Sequence, residues 1–189
     1  SVITGDPGSG KTTLVQGLVS ALKTLNADAR LSAPTGRAAK RISETPGLSD
    51  LGPSTIHMFL AKERASRSSS EFDVMIVDEA SMNDVELMGE LLEAIPAGSS
   101  IIFIGDVDQL PPVGPGQPFK DLIESEMVQV SRLTGNFRQA SFSNTIKAAR
   151  NIIQGKTPVL SPDIAQSDFT FLECPPQKQA ETLLNPYFD

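Results

Sequence analysis

GDPGSGKTT, residues 5 to 13, decides how the rest of the chain is read. Val2 and Ile3 ahead of it have the apolar character of the end of a buried strand. Leu14, Leu18, Leu22 and Leu25 after it, spaced four, four and three, predict the inward face of a helix. Gly5, Gly8 and Gly10 let the backbone adopt conformations that a β-carbon penalises, so that successive N–H groups point at one anion. Lys11 adds a mobile positive charge, and Thr12 a hydroxyl able to ligate magnesium. Asp6, Pro7, Ser9 and Thr13 complete the loop. The run matches G-x-x-x-x-G-K-[ST] in the strand-to-helix setting the motif needs, and a helix N-terminus adds a favourable field for phosphate. A cradle for a nucleoside triphosphate is therefore expected here.

Composition sets the bounds around that loop. A chain of 189 residues has room for one full domain plus a fragment, or for two small ones. Its hydrophobic share of 39% with only 5% aromatics suits an aliphatic α/β interior better than an aromatic-rich sandwich. The single Cys174 and single histidine exclude an intramolecular disulfide and a Cys/His zinc site, so the reducing cytoplasm is the expected compartment. No apolar run approaches about eighteen residues, so neither a membrane span nor a secretory leader is expected. The net charge of −7 argues against coating nucleic acid by bulk charge. Residues 29 to 43 nevertheless carry Arg30, Arg37, Lys40 and Arg41 with no acid among them, which leaves a local basic groove open. Because the chain begins abruptly before the loop, it is expected to be a fragment of something larger.

After the first helix, Asn26-Ala27-Asp28 reads as a turn and Ala29 to Ala33 as a strand ending at Pro34. In SAPTGRAAKR, Gly36 permits a sharp turn and Arg37 to Ser43 can be helical, with Arg37, Lys40 and Arg41 near one face. Thr35, Gly36 and Arg37 would then stand at the carboxyl edge of a sheet, where open α/β sheets bind ligands; a solvated basic helix start is the competing reading. Ser54 is expected to cap a short helix that buries Ile56, Phe59 and Leu60. His57 has no carboxylate or serine partner pattern and reads as a packed or surface residue. Residues 61 to 71 are polar and read as a loop.

Phe72 to Val77 is a near-continuous apolar run, as in a strand buried on both faces of a parallel sheet, and it ends in Asp78-Glu79. Beside a phosphate loop, Asp78 can hold magnesium through water and Glu79 can orient and deprotonate an attacking water; an acidic strand-end turn is the alternative. Asp84 begins a helix with Val85, Met88, Leu92 and Ile95 expected inward, ended by Pro96 and Gly98. Ser100 to Ile104 reads as a strand running into GDVDQLPPVGPG, where Gln109 can donate to a phosphate oxygen or position water. Further on, Phe119 to Glu124 is expected helical and Met127 to Leu133 a strand. Arg138 emerges from a turn, and Ser141 to Gln154 should form a helix with Ile146, Ala149, Ile152 and Ile153 inward. A strand at Phe169 to Glu173 and a helix start at Gln177 close the reading.

Taken together, these words resemble superfamily 1 helicases, specifically the RecD-like branch, the type of the exodeoxyribonuclease V alpha subunit, which moves 5′ to 3′ on single-stranded DNA. GDPGSGKT stands for motif I, APTGRAAKR for motif Ia and STIH for the short DNA-contacting motif after it. VDEAS stands for motif II, GDVDQLPPVGPG for motif III and FRQA for motif IV. Pif1-like helicases share several of these words, while TGRAAKR and VGPGQPFKDLI lean toward RecD. The resemblance implies a RecA-like P-loop ATPase lobe over residues 1–135, a parallel sheet flanked by helices, and the start of a second lobe over 136–189. It implies ATP and Mg2+ as cofactors, with Lys11 and Thr12 on the β- and γ-phosphates and magnesium. Asp78 would be the metal partner, Glu79 the catalytic base, Gln109 the coupler of γ-phosphate state to DNA, and Arg138 an arginine finger in cis. Pro34, Thr35, Gly36, Arg37, Thr55 and His57 would line a track for single-stranded DNA held without sequence preference, which revises the reading of His57.

Such helicases carry two lobes with ATP between them and motifs V and VI on the second. Their adenine-contacting glutamine lies upstream of the phosphate loop. The implied intact protein unwinds DNA in recombination or repair, in some members with nuclease-complex subunits as partners, while this fragment is expected to bind nucleotide weakly and turn it over poorly. Rival readings are another P-loop phosphotransferase such as a small-molecule kinase, and a non-catalytic scaffold lobe. The kinase predicts an arginine-rich lid that is not evident, and a scaffold has no chemical need for Lys11, Glu79 and Arg138 together.

Overall fold

The computed structural model describes residues 1–66, 71–134, 143–159, 168–169, 171 and 173–182. Its chain divides into two compact units, Ser1–Phe137 and Arg138–Asp189.

The first unit is built on strands β1 (Val2–Gly5), β2 (Ala29–Ala33), β3 (Ser54–Thr55), β4 (Val74–Val77), β5 (Ser100–Gly105) and β6 (Val130–Leu133). They form one six-stranded sheet in the order β3-β2-β4-β5-β1-β6. Every pairing is parallel, with Val2 opposite Phe103 and Val130, Ile76 opposite Leu31 and Ile102, and Ala33 opposite Thr55. Parallel neighbours need crossovers, and helices supply them: α1 (Lys11–Thr24), α2 (Gly36–Ser43), α3 (Ile56–Ala65), α4 (Val85–Ala94) and α5 (Pro118–Glu124). Helices therefore cover both faces, and the α/β reading of the sequence holds.

All four residues of β4 are buried, and they alternate between two cores because successive strand side chains point to opposite faces. Val74 and Ile76 join Val15 and Val19 of α1, Ala38, Ala39 and Ile42 of α2, Leu31 and Ile104. Met75 and Val77 join Phe59 and Leu60 of α3, Met88 and Leu91 of α4, and Phe119 and Ile123 of α5. Phe59 and Phe72 meet edge to face, with ring centroids 6.0 Å apart. Truncating a residue such as Ile76 to alanine removes about 2–5 kcal/mol in comparable cores.

This layering positions the site. The connections after β1 and β2 run to the face carrying α1 and α2, while those after β4 and β5 run to the opposite face. Between such divergent loops a crevice opens at the carboxyl ends of the strands.

Several sequence expectations change in detail. In α1 the inward residues are Val15 and Val19, flanked by Leu18 and Leu22; Leu14 and Leu25 are exposed, because the buried stripe is centred one residue later than the leucines suggest. In α4 the buried pair is Met88 and Leu91, and Val85 and Leu92 are exposed, because there the buried stripe runs one residue earlier, through Leu87, Leu91 and Ala94. Thr55, not Ser54, caps α3: its Oγ1 accepts from Met58 N at 3.2 Å, since β3 extends to residue 55. Residues 61–65, expected as loop, continue that helix, and residues 67–70 lie outside the described residues. β6 starts at Val130 rather than Met127, which is exposed.

In the second unit, α6 (Asn144–Ile153) is capped by Ser143, whose Oγ accepts from Ile146 N at 3.3 Å. The Ser143 hydroxyl donates to Asp168 Oδ2 and Asn144 N to Oδ1 at 2.7 Å, and these bonds, the hydroxyl's above all, hold the exposed Asp168 carboxyl below the usual range. Ala148 is the buried residue of α6, whereas Ala149, Ile152 and Ile153, expected inward, are exposed. The described residues 169, 171 and 173 are not in a strand, and helical geometry begins at Pro176.

Candidate functional site

Glycine is required where the phosphate loop turns. Gly8 and Gly10 sit at φ 85° and 89°, in the left-handed region that disfavours side chains. A β-carbon on Gly5 would lie 2.6 Å from Ser9 Oγ and 2.8 Å from Leu133 Cβ, so the strand end approaches its neighbours too closely for any other residue. Ser9 N donates to Asp6 O at 3.1 Å, and the buried Ser9 hydroxyl has no partner among the described residues. Lys11 folds back on its own loop: Nζ donates to Gly5 O and, at 3.1 Å, to Asp6 O. Pro7, Thr12 and Thr13 are exposed at the mouth, and the first turn of α1 carries no acidic side chain to compete with an anion. Such a donor set, the free N–H groups of a helix N-terminus with a lysine ammonium in its first turn, fits a polyphosphate.

Asp78 leaves the buried end of β4, its N–H bonded to Ser32 O at 2.9 Å. Its Oδ1 accepts from Glu79 N at 2.9 Å. Burial pushes the Asp78 carboxyl up, the neighbouring Glu79 charge adds to this, and Lys11 and Arg41 work in the opposite direction. Glu79 takes φ 54°, a left-handed conformation rare for a residue with a side chain, of the kind that clusters at functional sites. Its Oε1 accepts from Arg41 Nη2 at 2.7 Å, and the same nitrogen lies 3.6 Å from Asp78 Oδ2.

From the end of β5, Asp106 is buried beside the loop. Burial raises its carboxyl, opposed by the Asp108 N–H at 3.0 Å and by the Lys11 charge. Val107 N donates to the buried Thr4 Oγ1 of β1 at 3.3 Å, which ties the loop after β5 to the strand that carries the phosphate loop. Gln109 is exposed and lines one cleft with Glu79, Thr35, Arg37, Lys40 and Arg41. That cleft has a volume of about 790 Å³.

Thr35 is also the cap of α2, its Oγ1 accepting from Ala38 N at 3.2 Å. Gly36 has an ordinary backbone and open space around its α-carbon, so the sharp turn expected of it is absent; the helix simply starts there. Pro34 is half-buried at the end of β2. Thr55 and His57 stand on the neighbouring edge, His57 exposed in the first turn of α3, and neither lines the cleft with Thr35. Arg138 lies outside the described residues.

Two residues escaped the sequence reading. Asp106 carries the signal that Asp78 does, an acid directly after an apolar strand, but a single acid in a proline-rich loop did not stand out. Arg41 was one member of a basic run, and nothing in one dimension tells which of its cations reaches a carboxylate.

Comparison with known proteins gives the family of the chain. Residues 1–169 match the AAA domain family (AAA_30). The chain is 36% identical over 162 residues to the ATP-dependent RecD2 DNA helicase of Deinococcus radiodurans, covering 83% of this chain and 22% of that protein. To the RecBCD enzyme subunit RecD of Mycobacterium tuberculosis it is 34% identical over 164 residues, covering 73% of this chain and 28% of the relative. The chain thus spans about a quarter of the length of these relatives. Among solved structures, the Arterivirus nonstructural protein 10 helicase with DNA superposes at a TM-score of 0.53 with 19% identity, over 90% of this chain and 46% of that one; this likeness is one of fold.

Proposed function

The chain belongs to the AAA domain family, on the RecD-like branch of superfamily 1 helicases, and on that footing we propose that it is the ATP-binding motor lobe of a 5′ to 3′ DNA helicase. The intact protein would couple ATP hydrolysis to translocation on single-stranded DNA, in recombination or repair in the cytoplasm. Nuclease-complex subunits are candidate partners, as the name of the RecD relatives suggests. The second unit would be the start of the second lobe.

One observation carries the reading. The Lys11 charge reaches both Asp78 and Asp106, while Glu79 and Gln109 open into the same cleft as the basic start of α2. This supports reading Lys11 as the phosphate-binding ammonium, Asp78 as the metal-binding carboxylate, Glu79 as the base and Gln109 as the neutral donor, with the cations of α2 beside the last two.

In this reading the loop N–H groups and Lys11 bind the β- and γ-phosphates. Thr12 and Asp78 would hold magnesium, which would supply positive charge against the transferring phosphoryl group. Glu79 orients the attacking water and takes its proton at the carboxylate. Gln109 donates toward the γ-phosphate and carries its presence to the cleft. Arg138 acts as a finger in cis, a role worth a factor of about a thousand or more elsewhere. Backbone N–H and hydroxyl groups at Thr35, Gly36, Thr55 and His57, with Arg37, hold strand phosphates without reading bases, and Pro34 lines the track beside them.

Steady-state ATP turnover of the intact protein, with and without single-stranded DNA, tests this. DNA-stimulated turnover that Lys11→Ala abolishes is the expected result. Turnover stimulated by a small acceptor would point to a kinase, and partner binding without turnover to a scaffold. Strand displacement from a 5′ but not a 3′ overhang tests the polarity.

A further inference from the structure

A pocket of about 300 Å³ lies between β2 and α3, and it shares no lining residue with the cleft at Glu79 and Gln109. Side chains alternate along β2, so Leu31 joins the core beside α1 and α2 while Arg30 and Ser32 face α3. There they line the pocket with Phe59 and Lys62 of α3 and Ser54 of β3. Ser32 is 2% exposed, and its hydroxyl bonds no described residue. A buried hydroxyl in that position is accounted for by a ligand that accepts from it. The Lys62 ammonium, in the last turn of α3, is paired with no described acid. Arg30 is steadied by Asp28 at 3.0 Å, a contact that uses one nitrogen of its fork and leaves other N–H groups to donate. The Ser54 hydroxyl is weakly engaged, 3.4 Å from Thr55 O. Donors, two of them cationic, therefore dominate this space, and Glu63 is the acid among the described residues that line it.

We propose that this pocket is a second phosphate site, separate from the loop at Lys11, which takes inorganic phosphate or the terminal phosphate of a nucleic acid strand through Arg30, Ser32, Ser54 and Lys62. A phosphate accepts from guanidinium, ammonium and hydroxyl at once, which is what this set of side chains offers. Glu63 selects among phosphates. A monoester, with a second pKa of about 6, can present a P–OH to that carboxylate while its other oxygens accept, whereas a backbone diester has no proton to give. Ser54 is followed in the chain by Thr55, on the proposed DNA track, so the end of a strand lying there is beside the pocket. That strand-end source alone rests on the motor reading above.

The test uses the intact protein carrying Lys11→Ala, so that the phosphate loop does not mask the second site. Inorganic phosphate is titrated by calorimetry, and anisotropy compares oligo(dT) bearing a terminal phosphate with the same strand ending in hydroxyls. One-to-one binding of phosphate, or tighter binding of the phosphorylated strand, is the expected result. Lys62→Ala and Ser32→Ala should each weaken that binding about tenfold, the worth of a charge-assisted hydrogen bond. Phosphate binding with no preference between strands assigns the site to the free anion, and the preference without phosphate binding assigns it to the strand end. Lys62 is exposed, so its variant should melt with its parent, and lost binding there is not lost fold. Binding of neither probe, or binding that survives both substitutions, overturns the site. A protein whose ATP turnover DNA does not stimulate overturns the motor reading and leaves the free-anion site standing.

Discussion

Asp84 and Gly114 are packed so closely that a β-carbon on residue 114 would overlap the Asp84 carboxylate and stand 2.9 Å from the Asp84 Cβ. Asp84 cannot move aside freely, because its Oδ1 caps α4 by accepting from Leu87 N at 2.8 Å. The next residue, Val85, donates its N–H to Pro115 O at 2.9 Å. The segment that follows Glu79 and the segment that follows Gln109 are thereby tied together.

Gly114→Ala is expected to destabilise the domain by about 1–3 kcal/mol, the usual cost of forcing atoms into a filled space. Asp84→Ala should cost about 1 kcal/mol through the lost cap. Urea unfolding of the double variant should show less than the sum, since removing the carboxylate also removes the clash. Strict additivity would mean that the two residues do not touch in solution.

Thr55, rather than Ser54, holds the first turn of α3. Thr55→Ala should cost about 1 kcal/mol in unfolding free energy, with a clearly smaller loss for Ser54→Ala. Equal losses would return the cap to the position that the sequence suggested.

Among the described residues, Lys11 bonds the carbonyls of its own loop, Gly5 and Asp6, and no others. Lys11→Ala should therefore leave the unfolding midpoint nearly unchanged, while nucleotide affinity falls about ten- to a hundredfold, the worth of a charge-assisted hydrogen bond. Calorimetric titration of nucleotide beside thermal melts separates the two effects.

Asp106 is pushed up by burial, so its folded-state value lies above its unfolded one. Between those two values the native state binds more protons than the unfolded state. This carboxyl therefore contributes stability on the acid side that is lost as pH rises through the raised value. Asp106→Asn should stabilise the nucleotide-free protein at neutral pH, with the gain over wild type shrinking as pH falls toward the ordinary carboxylate value. A gain that grows on acidification would reverse the assigned direction.

Gln109 touches the proposed reaction only through its neutral amide. Gln109→Ala should keep nucleotide affinity within a few-fold of wild type, about the weight of one neutral hydrogen bond, and abolish most DNA stimulation of turnover. Turnover that is still fully stimulated by DNA would remove Gln109 from the coupling path.

Local chemistry settled much of this protein before any coordinates. The phosphate loop was legible because Gly8 and Gly10 need a left-handed backbone and Lys11 must follow them, a demand satisfied within nine residues. The strand at Val74–Val77 was legible because burial on both faces forbids polar residues anywhere along it. The buried side of α3 was legible in Ile56, Phe59 and Leu60, but for α1 and α4 only tertiary structure decided which side faces the sheet. Leucine spacing in α1 and the valine at the head of α4 pointed one residue away from the true stripes, because every side of a helix obeys the same period and the sheet chooses among them. Tertiary structure alone also paired Arg41 with Glu79, which are 38 residues apart. That contact exists because β2 and β4 are hydrogen-bonded neighbours, so the loops at their ends share one crevice, and strand order is a property of the folded sheet.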